Sequence, residues 1–238
     1  MIKKAVVLLS GGLDSTTCLS LAISRYGREV VTALTFDYGQ KHNNELDNAR
    51  RVAERLGVEL VVATVDPIIF KGSNSTLLKG NKEIAHESYD EQLKHKKENE
   101  AVDTYVPFRN GLMLSQATAL AYSEDGDSVV MYGAHADDAA GSAYPDCSIE
   151  FFQSMDNAIR YGTLNKVQIE APFISSTKAD IVVIGLGLKT PYELTRSCYE
   201  GRDSACGECG TCIDRINAFK ELNEIDPIKY ESKIDWSK

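Results

Sequence analysis

The sequence predicts an α/β fold, an open, mostly parallel twisted sheet with helices on both faces, carrying a small C-terminal four-cysteine zinc module. Three observations predict it. Strand-like and helix-like patterns alternate as βαβαβ within the first 65 residues. A glycine-rich turn, Leu8-Leu9-Ser10-Gly11-Gly12-Leu13-Asp14-Ser15-Thr16, joins an apolar strand to an amphipathic helix. Near the far end, Cys198-x7-Cys206-x2-Cys209-x2-Cys212 has the spacing of a metal knot.

The chain has 238 residues, enough for one large domain with an appendage. Residues 1–190 are expected to form the main α/β domain, with a polar insertion around 66–106, and 191–238 a metal-binding and helical segment packed on it. Thirty-five acidic residues against 26 basic give a charge of −9, which argues against a broad electrostatic grip on nucleic acid. The N-terminus runs into a strand without a cleavable leader, and no apolar stretch is long enough to span a bilayer, so a cytoplasmic protein is expected. Six cysteines, four of them clustered, point to metal or redox chemistry rather than to disulfides.

Ala5 to Leu9 suits a buried parallel strand, and Gly11 and Gly12 let the backbone turn sharply and approach a ligand. Asp14 or Ser15 is expected to cap the helix running to Arg25, where Gly27 stops it. The helix start offers unpaired N–H groups and Ser10, Ser15 and Thr16 offer hydroxyls, so an anion is held without a lysine. Ser10 and Asp14 are expected to face phosphate or its metal rather than the core. A Walker-type loop would carry Lys-Ser or Lys-Thr after its last glycine, and a dinucleotide fingerprint a third glycine; neither is present.

Glu29 to Phe36 reads as the second strand, and its exit Asp37-Tyr38-Gly39-Gln40 should face a ligand, since such sheets bind beyond the carboxyl ends of strands. Tyr38 is open to stacking on adenine or to packing. A charged helix follows from Asn44 to Leu56, then a strand from Glu59 to Val65. His42, beside Lys41, reads as a surface histidine with phosphate contact as the alternative. The stretch 66–106 lacks periodicity and contains Lys79-Gly80-Asn81; a mobile lid or surface disorder is expected.

Gly111 to Tyr122 reads as an apolar, buried helix, with Arg109 and Asn110 at its start aimed at the same mouth. Ser128 to Tyr132 is the next strand. Asp137-Asp138 in its exit loop suit water-mediated magnesium binding, or are an ordinary acidic pair. Tyr144-Pro145-Asp146-Cys147 leads into a helix from about Ser148 to Tyr161, and Asp146 is either a base-reading carboxylate or that helix's cap. Lys166 to Ile169 is a short strand. Lys178 stands in the first turn of a helix ending near Leu188, where a cation opposes the dipole; a ligand phosphate would justify it.

Four cysteines fill a tetrahedral zinc site and leave no position for metal-bound water, so the zinc is read as structural, with an iron–sulfur cluster as the competing occupant. A helix from Cys212 to Leu222 should pack the knot onto the sheet.

Ser-Gly-Gly-Leu-Asp-Ser-Thr at the end of the first strand resembles the PP-loop of the ATP pyrophosphatases, with their adenine nucleotide alpha hydrolase-like fold. Those enzymes split ATP between its α and β phosphates. Together with residues 37–40, Arg109-Asn110, Tyr144 to Cys147, Lys178 and the cysteine knot, nearly the whole chain resembles the 7-cyano-7-deazaguanine synthase family. Two departures are Gly133-Ala134-His135, a variant loop, and Phe108, where a small residue is more usual. The resemblance implies that 7-carboxy-7-deazaguanine, ammonia and ATP are converted to the nitrile preQ0, a precursor of queuosine, with magnesium and structural zinc. It implies nucleotide binding by Leu8, Leu9, Ser10, Gly11, Gly12, Leu13, Asp14, Ser15, Thr16, Thr17 and Cys18, and catalysis by Ser10, Asp14 and Lys178. It places the acid against Arg109, Asn110, Tyr144 and Asp146, and zinc on Cys198, Cys206, Cys209 and Cys212. A homodimer with no stable nucleic-acid partner and no membrane contact is expected. A tRNA thiolase or amidase and a non-catalytic zinc-bearing nucleotide sensor are the other readings.

Overall fold

The structure, a computed structural model, describes residues 2–41, 44–78, 83–97 and 100–237. The readings of His42 and of Lys79-Gly80-Asn81 lie outside the described residues. In chain order the strands are β1 (Lys4–Leu8), β2 (Val31–Asp37), β3 (Glu59–Thr64), β4 (Ser128–Met131) and β5 (Val167–Glu170). The helices are α1 (Leu13–Tyr26), α2 (Asn44–Leu56), α3 (Tyr89–Lys94), α4 (Arg109–Ala121), α5 (Ala136–Ala139), α6 (Ile149–Gly162), α7 (Lys178–Gly187) and α8 (Gly210–Glu221).

All five strands are parallel, in the order β3-β2-β1-β4-β5. The chain winds outward from β1 through β2 and β3, then returns to lay β4 on the other side of β1. That reversal opens a crevice at the carboxyl ends of β1 and β4, where open α/β sheets bind ligands. Strand side chains alternate between faces, so β1 splits its apolar run between two cores. Val6 and Leu8 pack with Leu114 of α4 and Ile159 of α6, while Ala5 and Val7 pack with Leu19 of α1, Val52 of α2 and Ile181 of α7. Parallel strands covered on both faces have no room for polar alternation, which is why β1 and β4 read as continuous apolar runs. No helix among the described residues is long and apolar enough to cross a membrane.

The segment 66–106 differs from the expected lid or disordered loop. Its described part buries Phe70, Leu77, Tyr89, Val102 and Val106 in the same core as α4. These anchors are irregularly spaced, so they raise neither a helical nor a strand period. Asp66 caps the single turn Pro67–Phe70, and Ser88 with Glu91 forms a capping box on α3.

At the other end, Phe219 of α8 packs edge-on to Tyr192, and both join the core beneath α1 and α7. Arg215 of α8 is 1% exposed and meets Asp226 through Nε and Nη2, at 2.6 and 2.8 Å. Its Nη1 donates to Thr195 Oγ1, and Tyr230 also donates to Asp226. A buried guanidinium is tolerated where its donors are met in this way.

Candidate functional site

The glycine turn lies at the mouth of the crevice. Gly11 has φ +80° and sits so close to α2 that a Cβ would stand 2.8 Å from Ala49 N and 2.9 Å from Glu45 O, which excludes any side chain there. Gly12 is the N-cap of α1, so the expected cap at Asp14 or Ser15 is corrected: both lie inside the first turn. Ser10 Oγ and Ser15 Oγ are 3.0 Å apart, and Gly12 N donates to Ser10 Oγ. The hydroxyls thus close a ring across the turn, with Ser10 exposed. Leu8, Leu9, Ser10, Gly12, Asp14 and Ser15 line the cleft. Leu13, Thr16, Thr17 and Cys18 are turned into the interior. Thr16, read as a hydroxyl donor to the anion, is fully buried, its Oγ1 without a partner among the described residues.

Asp14 is the hinge of the site's electrostatics. Its Oδ2 lies 3.1 Å from Lys178 Nζ and 3.8 Å from His135 Nε2. Burial by itself would raise this carboxyl, but Lys178 and then His135 outweigh it and hold it below the usual carboxylate value. Lys178 is 5% exposed at the start of α7 and does not line the cleft. Asp14 gives this cation at a helix N-terminus an anionic partner within the protein. The two carboxylates of the β4 exit loop part company. Asp137 accepts from Lys178 N at the start of α7, beside that helix's Thr177 cap, whereas Asp138 faces the cleft with His135 Nε2 at 3.2 Å. Gly133 allows this loop to press on α1: a Cβ there would stand 3.0 to 3.1 Å from Asp14 and Ser15 backbone atoms.

The cleft spans about 1250 Å³, counting its open mouth, and continues from the turn to Arg109, Asn110, Tyr144 and Asp146. The geometry therefore brings both groups of expected site residues together. Arg109 Nη1 donates to Tyr38 Oη at 2.9 Å, its guanidinium carbon 5.5 Å from that ring's centre. Tyr38 is buried and packs near-perpendicular to Phe70, and it also lines the cleft. Asp146 is not the cap of α6, which is Ser148. Its Oδ2 instead accepts from Asn110 N, in the first turn of α4, and its carbonyl accepts from Asn110 Nδ2. Burial raises the Asp146 carboxyl, opposed by the Asn110 N–H and then by Arg109.

Sequence reasoning missed Glu45 and Tyr199 in the wall and Tyr89 bonded to it, and gave Cys147 no role of its own. Glu45, in the first turn of α2, has its carboxyl raised by burial, opposed by Arg109. Tyr89, Tyr144 and Tyr199 join hydroxyls at 3.1 to 3.2 Å, linking α3, the Tyr144 turn and the cysteine knot. Burial pushes the Cys147 thiol well up, and its Sγ accepts from Asn110 Nδ2. It is a neutral wall group. These positions come from four separated segments, and local sequence carries no signal of their meeting.

The four knot cysteines are buried, with sulfurs all within 4.8 Å of one another. Cys206 N donates to Cys198 Sγ, and Glu208 N and Cys209 N to Cys206 Sγ, the pattern that stabilises metal thiolates. Ile84 of the 66–106 segment packs against them. Just ahead of Cys198, Arg196 N donates to Gly11 O at 2.9 Å, tying the knot to the glycine turn.

A family model described as "Queuosine biosynthesis protein QueC" matches residues 4–223. A 7-cyano-7-deazaguanine synthase from Caldicellulosiruptor saccharolyticus is 42% identical over 235 residues, covering 98% of both chains. Another from Pseudoalteromonas atlantica is 40% identical, covering 97% of this chain and all of its own. Among solved structures, the U34-tRNA thiolase NcsA from Methanococcus maripaludis, with its 4Fe-4S cluster, has a TM-score of 0.50 at 14% identity. That likeness spans 92% of this chain and 66% of the thiolase, and is one of fold alone.

Proposed function

The chain belongs to the QueC family of queuosine biosynthesis proteins, and we propose on that footing that its cleft converts 7-carboxy-7-deazaguanine, ammonia and ATP into 7-cyano-7-deazaguanine. The observation that carries the reading is that one cleft is lined both by the Ser10–Ser15 turn and by Asp146 beside Asn110. A nucleotide and a bicyclic acid then meet end to end. A carboxylate resists attack by ammonia because oxide is a poor leaving group. Transfer of the adenylyl group replaces oxide with AMP and releases pyrophosphate; ammonia then gives the amide, whose oxygen is activated and expelled in the same way.

In this reading Ser10, Gly12 and Ser15 bind phosphate and fix its angle of approach, so catalysis is positioning and charge stabilisation. Asp14 stays ionised at neutral pH beside Lys178. Lys178 acts through Asp14 and is a positioning residue. Asp14 Oδ1, without a partner among the described residues, and Asp138 suit the oxygen preference of magnesium and would hold it. Bound there, magnesium supplies neutralisation of phosphate charge. The knot suits a single zinc: bonds of about 2.3 Å put tetrahedral sulfurs about 3.8 Å apart, and Cys206 and Cys212 sulfurs are 3.9 Å apart. With four thiolates its role is structural. Residues 1–190 then serve as the nucleotide domain and 191–238 as the segment that closes it.

Incubation with 7-carboxy-7-deazaguanine, ATP and ammonium, followed by mass spectrometry, tests the reading. The amide is expected first, then the nitrile, with one AMP and one pyrophosphate per activation. Product formed only on added tRNA would move the assignment to a tRNA-modifying enzyme.

Asp146 is proposed to accept from the ring N1–H and exocyclic amine of the deazaguanine. Asp146→Asn keeps an oxygen to accept from Asn110 N but loses the charge, so the melting temperature is expected to hold while kcat/KM for the acid falls about a hundredfold or more. The pH profile carries the sign. The raised carboxyl is ionised only above its shifted value, so wild-type kcat/KM falls on acidification earlier than an ordinary aspartate would cause. That limb should vanish in Asp146→Asn. A lower melting temperature with unchanged kinetics would make the residue only a support for α4.

A further inference from the structure

The cleft's two cations are held by neutral partners. They are Arg109 and Arg196, its basic lining residues among those described. Arg109 Nη1 is given to Tyr38, while Arg196 gives Nη1 and Nη2 to the carbonyls of Asp203 and Ser204. Lys178 is given to Asp14. Beside these two guanidinium groups a polyphosphate also needs neutral donors, and the turn at Ser10 and Ser15 supplies them from one side.

The opposite side is built by the cysteine knot. Arg196 N is bonded to Gly11 O, and a Cβ on Gly12 would stand 3.6 Å from Arg196 O and 3.9 Å from Ser197 Oγ. Ser197 therefore overhangs the turn. Thr211, in the first turn of the 12-residue helix α8, also lines the cleft although it is only 6% exposed. Neither hydroxyl has a hydrogen-bond partner among the described residues. The Thr211 hydroxyl has no protein partner yet is not sealed off, so in an otherwise buried side chain it opens on the cleft, where a ligand can reach it. Helix α8 begins at the same place, with N–H groups that lack intrahelical acceptors.

Resting on the ATP-splitting reading above, we infer that Ser197 and Thr211 form the second half of the anion cradle, holding the β and γ phosphates of ATP and then the released pyrophosphate. The N-termini of α1 and α8 serve the same anion from two sides. The knot contributes by fixing residues 196–199 and the start of α8 in place.

Calorimetric titration with inorganic pyrophosphate, ATP and AMP tests this in Ser197→Ala, Thr211→Val and the double variant, alongside metal content and thermal midpoint. Affinity for pyrophosphate and ATP is expected to fall about tenfold per lost hydroxyl. AMP affinity, metal content and midpoint should match wild type, and Ser197→Thr with Thr211→Ser should retain pyrophosphate binding. Wild-type pyrophosphate affinity in the double variant, an equal loss for AMP, or shedding of the metal in either truncation overturns the inference. If Ser10→Ala weakens pyrophosphate binding and the double variant does not, this inference falls alone. A wild-type protein that binds neither ATP nor pyrophosphate overturns the parent reading with it.

Discussion

Asp14→Asn is expected to lower pyrophosphate release about a thousandfold and to destabilise the protein at the same time. The first effect follows, in the proposed function, from removing a fixed charge beside the reacting phosphates, where single electrostatic groups are worth about a hundred- to thousandfold. The second follows from Lys178, whose side chain is 6% exposed and whose Nζ lies 3.1 Å from Asp14 Oδ2. Breaking such a pair from one side leaves a buried charge without its partner, at a cost of about 3 kcal/mol or more. Sequence reasoning expects this aspartate to face phosphate with little stake in the fold, and the ion pair corrects that. The double variant Asp14→Asn, Lys178→Met separates the two roles. It should recover most of the denaturant midpoint while staying inactive. Recovery of turnover in the double variant would reduce Asp14 to a structural partner, and an unchanged midpoint in the single variant would contradict the pair.

Cys206→Ser should have the other large effect. Metal affinity and folding are one equilibrium in such knots, because the site does not exist in the unfolded chain. Loss of a thiolate should release the metal and loosen residues 196–212. The damage is expected to travel. Arg196 is bonded to Gly11, Tyr199 to Tyr89 and Tyr144, and Ala205 to the backbone of Lys229 and Glu231. Purified Cys206→Ser is therefore predicted to hold no stoichiometric metal, to melt well below wild type and to lose nucleotide binding. Hydrogen exchange should show faster exchange at Gly11 and Gly12 as well as in the knot. Full metal content, or metal loss with protection of the glycine turn unchanged, would refute the coupling.

The fold was legible because its signals are local. The apolar runs of β1 and β4, the 3.6-residue stripe of α2 from Asn44 to Leu56, and the glycines that end α1 and α2 depend on neighbours within a few residues. The Ser10–Thr16 turn and the four-cysteine spacing were legible for the same reason, since a turn and a tetrahedral ligand set need particular residues at short intervals. The 66–106 segment was misread because its core anchors follow no period. The geometry of Asp146 was not legible: the helix it supports is α4, reached across the fold, rather than α6, which follows it in sequence.

By itself, the sequence determined the parallel sheet, the glycine-rich turn after its first strand, the four-cysteine knot and, through the resemblance these carry, the family. Tertiary structure alone decided that Lys178 meets Asp14, that Glu45 and Asp146 flank Arg109, and that the knot overhangs the glycine turn. Element type is set by the residues of one segment. The partner of a buried charge or hydroxyl is set by which segments pack together, and in this chain those segments lie far apart in sequence, so the pairings exist only once the sheet has closed the distance.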